Sequence, residues 1–385
     1  MPRAHPPPHL DGRFLTAVRE GNHHGIRFPD GSLHRLDRCL HTVDSVLSTA
    51  MPTATALDSS PFWNLLDSTD DGYADAVYAG KLAKSTVNAI NHTVAATDGM
   101  HRAMQSIVRW QRFYRDTPSV FQAYSSGDAL KAQADGRTAI FMGFQGIDPL
   151  EGDLNMIEAY HSMGLRFLQP TYQRRTLAGE GCGEPTAGSV GLSSFGRDLV
   201  GICNDLGIVL DISHVGERTS LDIIERSAKP VIATHSAARG LVDCVRNKTD
   251  REITALAETG GVIGIAGKSL FLTPEYATKG STLDDYLRHI DYICSLAGDD
   301  VVAIGTDISD ERRYTPEMLR KFGEAYPEIP LGGDTFRAEI ANTRDIPTPA
   351  DTKNILAELT ARGYGPDTID KIKGRNAHRA CAANF

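Results

Sequence analysis

From residue 54 onward, short runs rich in β-branched and apolar residues alternate with amphipathic stretches, and the alternation repeats eight times. Strand and helix in strict alternation, at a spacing of roughly 20–30 residues, imply parallel strands joined by helical crossovers. The eight candidate strands are TATALD ending at Asp58, TVNAINH near His92, TAIFMGFQ at Gln145, LRFLQPTY at Tyr172, GIVLDISH at His214, PVIATHS at His235, GVIGIAG at Gly267 and VVAIGTD at Asp307. LSSFGRDLVGICNDLG carries a Ser cap and a Gly207 stop, and TDREITALAETGG offers Thr249 or Asp250 as its cap, as helix ends require. Eight units favour an α/β fold closed as a (β/α)₈ TIM-type barrel over an open sheet. No GxGxxG follows the first strand and no GxxxxGK[ST] occurs, so nucleotide folds lack their signature.

The expected organisation is a single barrel domain over 51–385 with a C-terminal helical cap. Residues 1–50, rich in Pro, His and Arg, have no periodic apolar face and read as a disordered arm. The alternative is a start codon called too early, with Met51 as the true start. Acidic residues outnumber basic ones, 49 to 40, a balance that argues against nucleic acid or an anionic bilayer as partner. No apolar run approaches the roughly 20 residues of a membrane span. The six cysteines lie far apart without a CxxC pair, which reads as free thiols in a reducing, cytoplasmic setting.

Barrel enzymes build their sites where strands end, and here the strand ends present Asp58, His92, Gln145, Tyr172, His214, His235 and Asp307. Two imidazoles and a carboxylate suit a divalent metal with a position left for water, whose pKa the ion would lower to about 7. The alternative is a pair of buried, hydrogen-bonded histidines with a structural Asp. His289, on LRHIDYI, reads as a packed helix histidine. Asp211 could orient His214 or serve as a strand partner. The segment 311–350, rich in Pro, Gly and Tyr, is long for a βα loop and suits a lid or a subunit contact. In the closing segment Cys381 reads as core filler.

GLSSFGRDLVGICNDLGIVLDISHV, KPVIATHSAARGL, RNKTDREITALAETGGVIGI and VVAIGTD resemble, in order and spacing, the renal (membrane) dipeptidase family of metallopeptidases. The resemblance implies a barrel that hydrolyses dipeptides, usually at a two-zinc site and often as a homodimer. It implies His214 and His235 as ligands of the second zinc, Asp307 as proton shuttle, and Arg246 as holder of the substrate carboxylate, a task for a planar fork. The family's opening DGHxD, which ligates the first zinc, is read here at Asp58–Phe62, with Ser60 and Phe62 replacing the ligands. Gln145 stands for the bridging glutamate and Tyr172 for a substrate-contacting histidine. Gln145, Gln169, Tyr172 and Cys182 mark a divergent branch with a remodelled pocket, in which Cys182 or Glu184 could replace a lost ligand. Three readings follow. The first is a hydrolase of a small amide or dipeptide with about one zinc on His214 and His235. The second is a metal-free enzyme using Asp307 and Tyr172 on a small carboxylate compound, with Gln145, Gln169 and Arg246 as binding residues. The third is a decayed small-molecule binder on the same barrel.

Overall fold

The computed structural model describes residues 60–329 and 338–385, together with the backbone of three short strands near the N-terminus. Eight parallel strands close a barrel: β1 (Trp63–Asp67), β2 (Ala89–Ala95), β3 (Thr138–Phe144), β4 (Leu165–Leu168), β5 (Val209–Leu210), β6 (Ile232–Ser236), β7 (Val262–Ile265) and β8 (Val302–Ile304). β1 to β5 pair in sequence order, as do β6 to β8. Single bridges, Asp211 to Ile232 and Asp67 to Ile308, join the two sheets into a ring. The short strand Val120–Gln122 pairs with β3.

The first residues of the strands fill the barrel floor. Trp63, Ala89, Ala139, Phe141, Phe167, Ile232, Val262 and Ala303 form one buried cluster with Ala377, Ala380 and Cys381 of the C-terminal helix Asn376–Ala382. Trp63 stacks on Phe141 at 5.0 Å, and Phe385 packs on the same ring at 5.3 Å. The C-terminal helix therefore plugs the floor, and Cys381 is core filler as the sequence suggests. The crossover helices bury their apolar stripes against the outside of the barrel. In Ser194–Leu206 the Ser193 hydroxyl accepts from Gly196 N, and Gly207 ends the helix at φ 77°. Thr249 and Glu252 form a reciprocal capping box on Asp250–Glu258. His289 is buried in the outer layer, accepting from Ala238 N and facing Leu272 O.

Two sequence expectations change here. The first barrel strand is Trp63–Asp67; TATALD lies outside the described residues. Ser60 sits at the opposite end of the barrel, hydrogen-bonded to Asp370, and Phe62 is core. Neither is near the mouth. In the arm, Thr16–Glu20, His23–Arg27 and Leu33–Arg35 pair as antiparallel strands.

Candidate functional site

The second half of the barrel builds one connected polar group at the mouth. Asp211, just past β5, accepts from Ser213 N, Ser213 Oγ and Thr234 N at 2.6–3.0 Å, and from Thr234 Oγ1 at 2.5 Å. With the Thr234 hydroxyl committed to Asp211, it accepts from His235 Nδ1 at 2.7 Å. That leaves His235 Nε2 as an acceptor, so His214 Nε2 donates to it at 2.9 Å. The tautomers follow from this network. Asp211 thus orients His235 through Thr234. Both rings are buried and neutral. Burial, then the charges of Arg246, His235 and Lys248, holds His214 far below the usual imidazole range. Burial pulls His235 down to about 4 despite the nearby Asp307 carboxylate. A Cβ at Gly305, beside this network, would lie 1.7 Å from Thr234 O, so the GTD motif needs its glycine for close approach.

Arg246 is 1% exposed. Its Nη1 donates to Ser213 O and its Nη2 to His235 O at 3.2 Å, its guanidinium lies over Phe271, and Nε has no partner among the described residues. No carboxylate pairs with it among the described residues. Asp307 holds a left-handed backbone, φ 54°, uncommon for a residue with a Cβ. Burial would raise its carboxyl, but Lys268, His235, Ser68 and Arg246 together hold it below its ordinary value, so it is ionised. Lys268 Nζ donates to Tyr314 OH at 2.6 Å and Asn342 Oδ1 at 3.0 Å. Arg313 donates to Ser68 O and pairs with Asp70 at 3.2 Å. These groups surround a cavity of about 190 Å³ that Gln145, Tyr172, His214, Arg246 and Asp307 also line. Tyr172 stacks on His214 at 4.2 Å, and burial pushes its phenol up, so it stays protonated. Gln145 donates to Thr93 Oγ1 at 2.9 Å.

Other sequence candidates sit elsewhere. Gln169 is fully buried, accepts from His214 N at 3.0 Å, and does not line the cavity; it positions the His214 backbone. The Cys182 thiol turns away from the imidazoles and donates to Gln173 Oε1 at 2.6 Å; burial raises it to about 11. Glu184 accepts from Arg175 N on the loop. Neither replaces a ligand. His92 lies inside β2 and points to the helical layer, 4.0 Å from the Trp110 ring. Lys268 and Arg313 went unnoticed in sequence; Lys268 follows the strand end at Gly267, which was the available signal.

The end of β1 also resets the ligand motif. With the strand ending at Asp67, the DGHxD register falls on Asp67-Ser68-Thr69-Asp70-Asp71. Thr69 then replaces the histidine, while the second aspartate survives as Asp71. Asp71 is committed to Arg102 at 2.6 Å and Arg109 at 3.1 Å. Zinc ions therefore fit these residues badly. Thr69 and Gln145 bring no charge, the paired imidazoles satisfy each other, and three cations stand nearby. Among the described residues no three His, Cys, Asp or Glu converge on one point, and a metal centre needs such convergence.

An eight-stranded parallel barrel with ionisable groups gathered at its C-terminal mouth defines a TIM-barrel enzyme. The chain belongs to the membrane dipeptidase family (peptidase family M19), which matches residues 62–329. It is thus a member of a hydrolase family of metallopeptidases. A solved amidohydrolase from Pseudomonas aeruginosa is 29% identical, with a TM-score of 0.76 over 86% of this chain and 98% of that one. An uncharacterised protein from the pqqA 5′ region of Klebsiella pneumoniae is 28% identical over 66% of this chain and 84% of its own length. Dipeptidase tcpJ of Claviceps purpurea is 25% identical over 67% of this chain, a match spanning 53% of that relative.

Proposed function

We propose that this chain hydrolyses a C–N bond of a small amino-acid derivative, a dipeptide or an N-acyl amino acid, whose carboxylate docks on Arg246. One observation carries the reading: a buried guanidinium with no carboxylate partner among the described residues lines the cavity. A buried charge left unpaired is costly, and a substrate carboxylate supplies the missing anion in a bidentate geometry. Asp307, ionised at neutral pH, takes the proton of the water that attacks the carbonyl carbon and returns it to the amine nitrogen as the C–N bond breaks. Lys268 and Arg313 offset the negative charge that develops on the carbonyl oxygen, a form of electrostatic stabilisation that a dry site strengthens. Tyr172 and Gln145 wall the cavity, and Tyr172 keeps the His214 ring in place by stacking on it.

Kinetics on a panel of dipeptides and N-acyl amino acids test the reading. Arg246→Ala should raise KM roughly 10- to 100-fold, the worth of a charged hydrogen bond; an unchanged KM rejects the anchor. A second reading rests on the 2.9 Å approach of the two Nε2 atoms. Two imidazoles on one tetrahedral zinc stand roughly 3.3 Å apart, given Zn–N lengths of about 2.0–2.1 Å, so a small separation of the rings would make a two-donor site. Elemental mass spectrometry decides: about one ion per chain, lost in His214→Ala/His235→Ala, supports this second reading.

A further inference from the structure

The segment after β8 forms the roof of the cavity. Its helix Pro316–Ala325 is amphipathic without a core of its own, since none of its residues is fully buried. Glu317, Arg320, Lys321 and Glu324 pair with one another on the outer face. The inner face presents Met318, Leu319 and Phe322 to the cavity, joined by Ile329 beyond the helix and Leu270 from below. Apolar side chains on a surface helix normally cover a packed core; here Phe322 and Ile329 meet the edge of that core and, with Met318 and Leu319, also line the cavity.

The roof is held closed by the loop after β4. Arg174 donates to Ala325 O and Glu328 Oε2, both at 2.9 Å, and to Gly183 O at 3.2 Å. The same guanidinium lies over the Tyr326 ring, which meets Tyr172 edge-on at 5.6 Å. A Cβ at Gly183 would come within 2.2 Å of Glu328 Oε1, so the glycine lets the two segments touch. The cavity is thus lined both by charged groups, Arg246, Asp307 and Lys268 among them, and by apolar side chains supplied by the roof.

We infer that Met318, Leu319, Phe322 and Ile329 form a specificity subsite for an apolar group, aliphatic or aromatic, on the substrate whose carboxylate Arg246 holds. The inference rests on that carboxylate anchor and adds the second point of attachment. A wall of this kind rewards each added methylene by burial, which a polar subsite would penalise. The volume, about 190 Å³, lies below the roughly 300–1,000 Å³ of drug-sized sites, so one such group fills it.

Calorimetric titration of the full chain with N-acetylglycine, N-acetylalanine, N-acetylvaline, N-acetylleucine and N-acetylphenylalanine tests this. Affinity should climb along the aliphatic series by roughly three- to fourfold per buried methylene. Phe322→Ala and Leu319→Ala, both on a partly exposed helix that tolerates truncation, should each flatten that gradient. Arg246→Ala should weaken all members together. A flat gradient in the wild type, or an unaltered gradient in both roof variants, overturns the subsite while leaving the anchor intact. Equal binding by Arg246→Ala, or no binding of any member by the wild type, overturns the anchor and the subsite with it.

Discussion

The two halves of the barrel mouth have diverged by different routes. On the β5–β8 side, His214, His235 and Arg246 form one buried network, and the Asp307 carboxylate lies within its electrostatic reach. On the β1–β3 side, the corresponding positions hold Thr69 and Gln145, and the surviving Asp71 is neutralised by two arginines. The difference teaches that retaining residue types is distinct from retaining their task. The two histidines that would face an ion face each other. Arg246 keeps its fork and has, among the described residues, no carboxylate within ion-pair distance.

The comparison can be broken first at Asp307. If the second half carries the chemistry, Asp307→Asn should lower kcat by roughly 10²–10⁴-fold, the usual worth of a general base, with a smaller change in KM. A variant retaining full turnover would move the chemistry elsewhere. The first half is probed by reconstruction. Thr69→His with Gln145→Glu restores an imidazole and a carboxylate in the Asp71 motif, and the double variant should take up more zinc than the parent, read by elemental analysis. Equal metal in both proteins would show that ligand loss is not what separates the halves.

A third probe compares imidazoles on the two sides. Burial pulls His92 down to about 3 and His235 to about 4. Unfolded histidine takes up its proton near pH 6.5, and these folded rings do not until far lower. Their contribution to stability is therefore complete above about pH 6.5 and is lost as pH falls toward 4. Asp67, raised to about 6 mainly by burial, acts in the opposite sense, because its folded form binds the proton more tightly. With His214 and His289 also held down by burial, and Asp148 and Asp291 raised beside Asp67, four buried imidazoles outweigh three carboxyls, and the urea midpoint should fall between pH 7 and pH 4.5. A midpoint that rises over that range would contradict the neutral-imidazole description.

Much of this was legible in the sequence. Alternation and helix caps disclosed the barrel, and the motifs LDISH, IATHS, RN and GTD disclosed four residues of the mouth. The first strand was misplaced because WNLLD contains no β-branched residue, while TATALD nearby is richer in them and ends in an aspartate. His92 read as a mouth residue although the strand continues to Ala95 and alternation turns its ring outward. Cys182 and Glu184 lie near His214 along the fold, yet the direction of a loop side chain is set by its tertiary partners, here Gln173 and Arg175 N. Lys268 and Arg313 carry no local signal of their convergence, because 45 residues separate them and a folded loop reunites them.

The central claim is a carboxylate site built on Arg246 that needs no metal. Calorimetric titration of N-acetylleucine into chelator-treated protein, with and without added zinc, addresses it directly. The account predicts the same affinity in both conditions and its loss in Arg246→Ala; binding that vanishes on chelation and returns with zinc would contradict it.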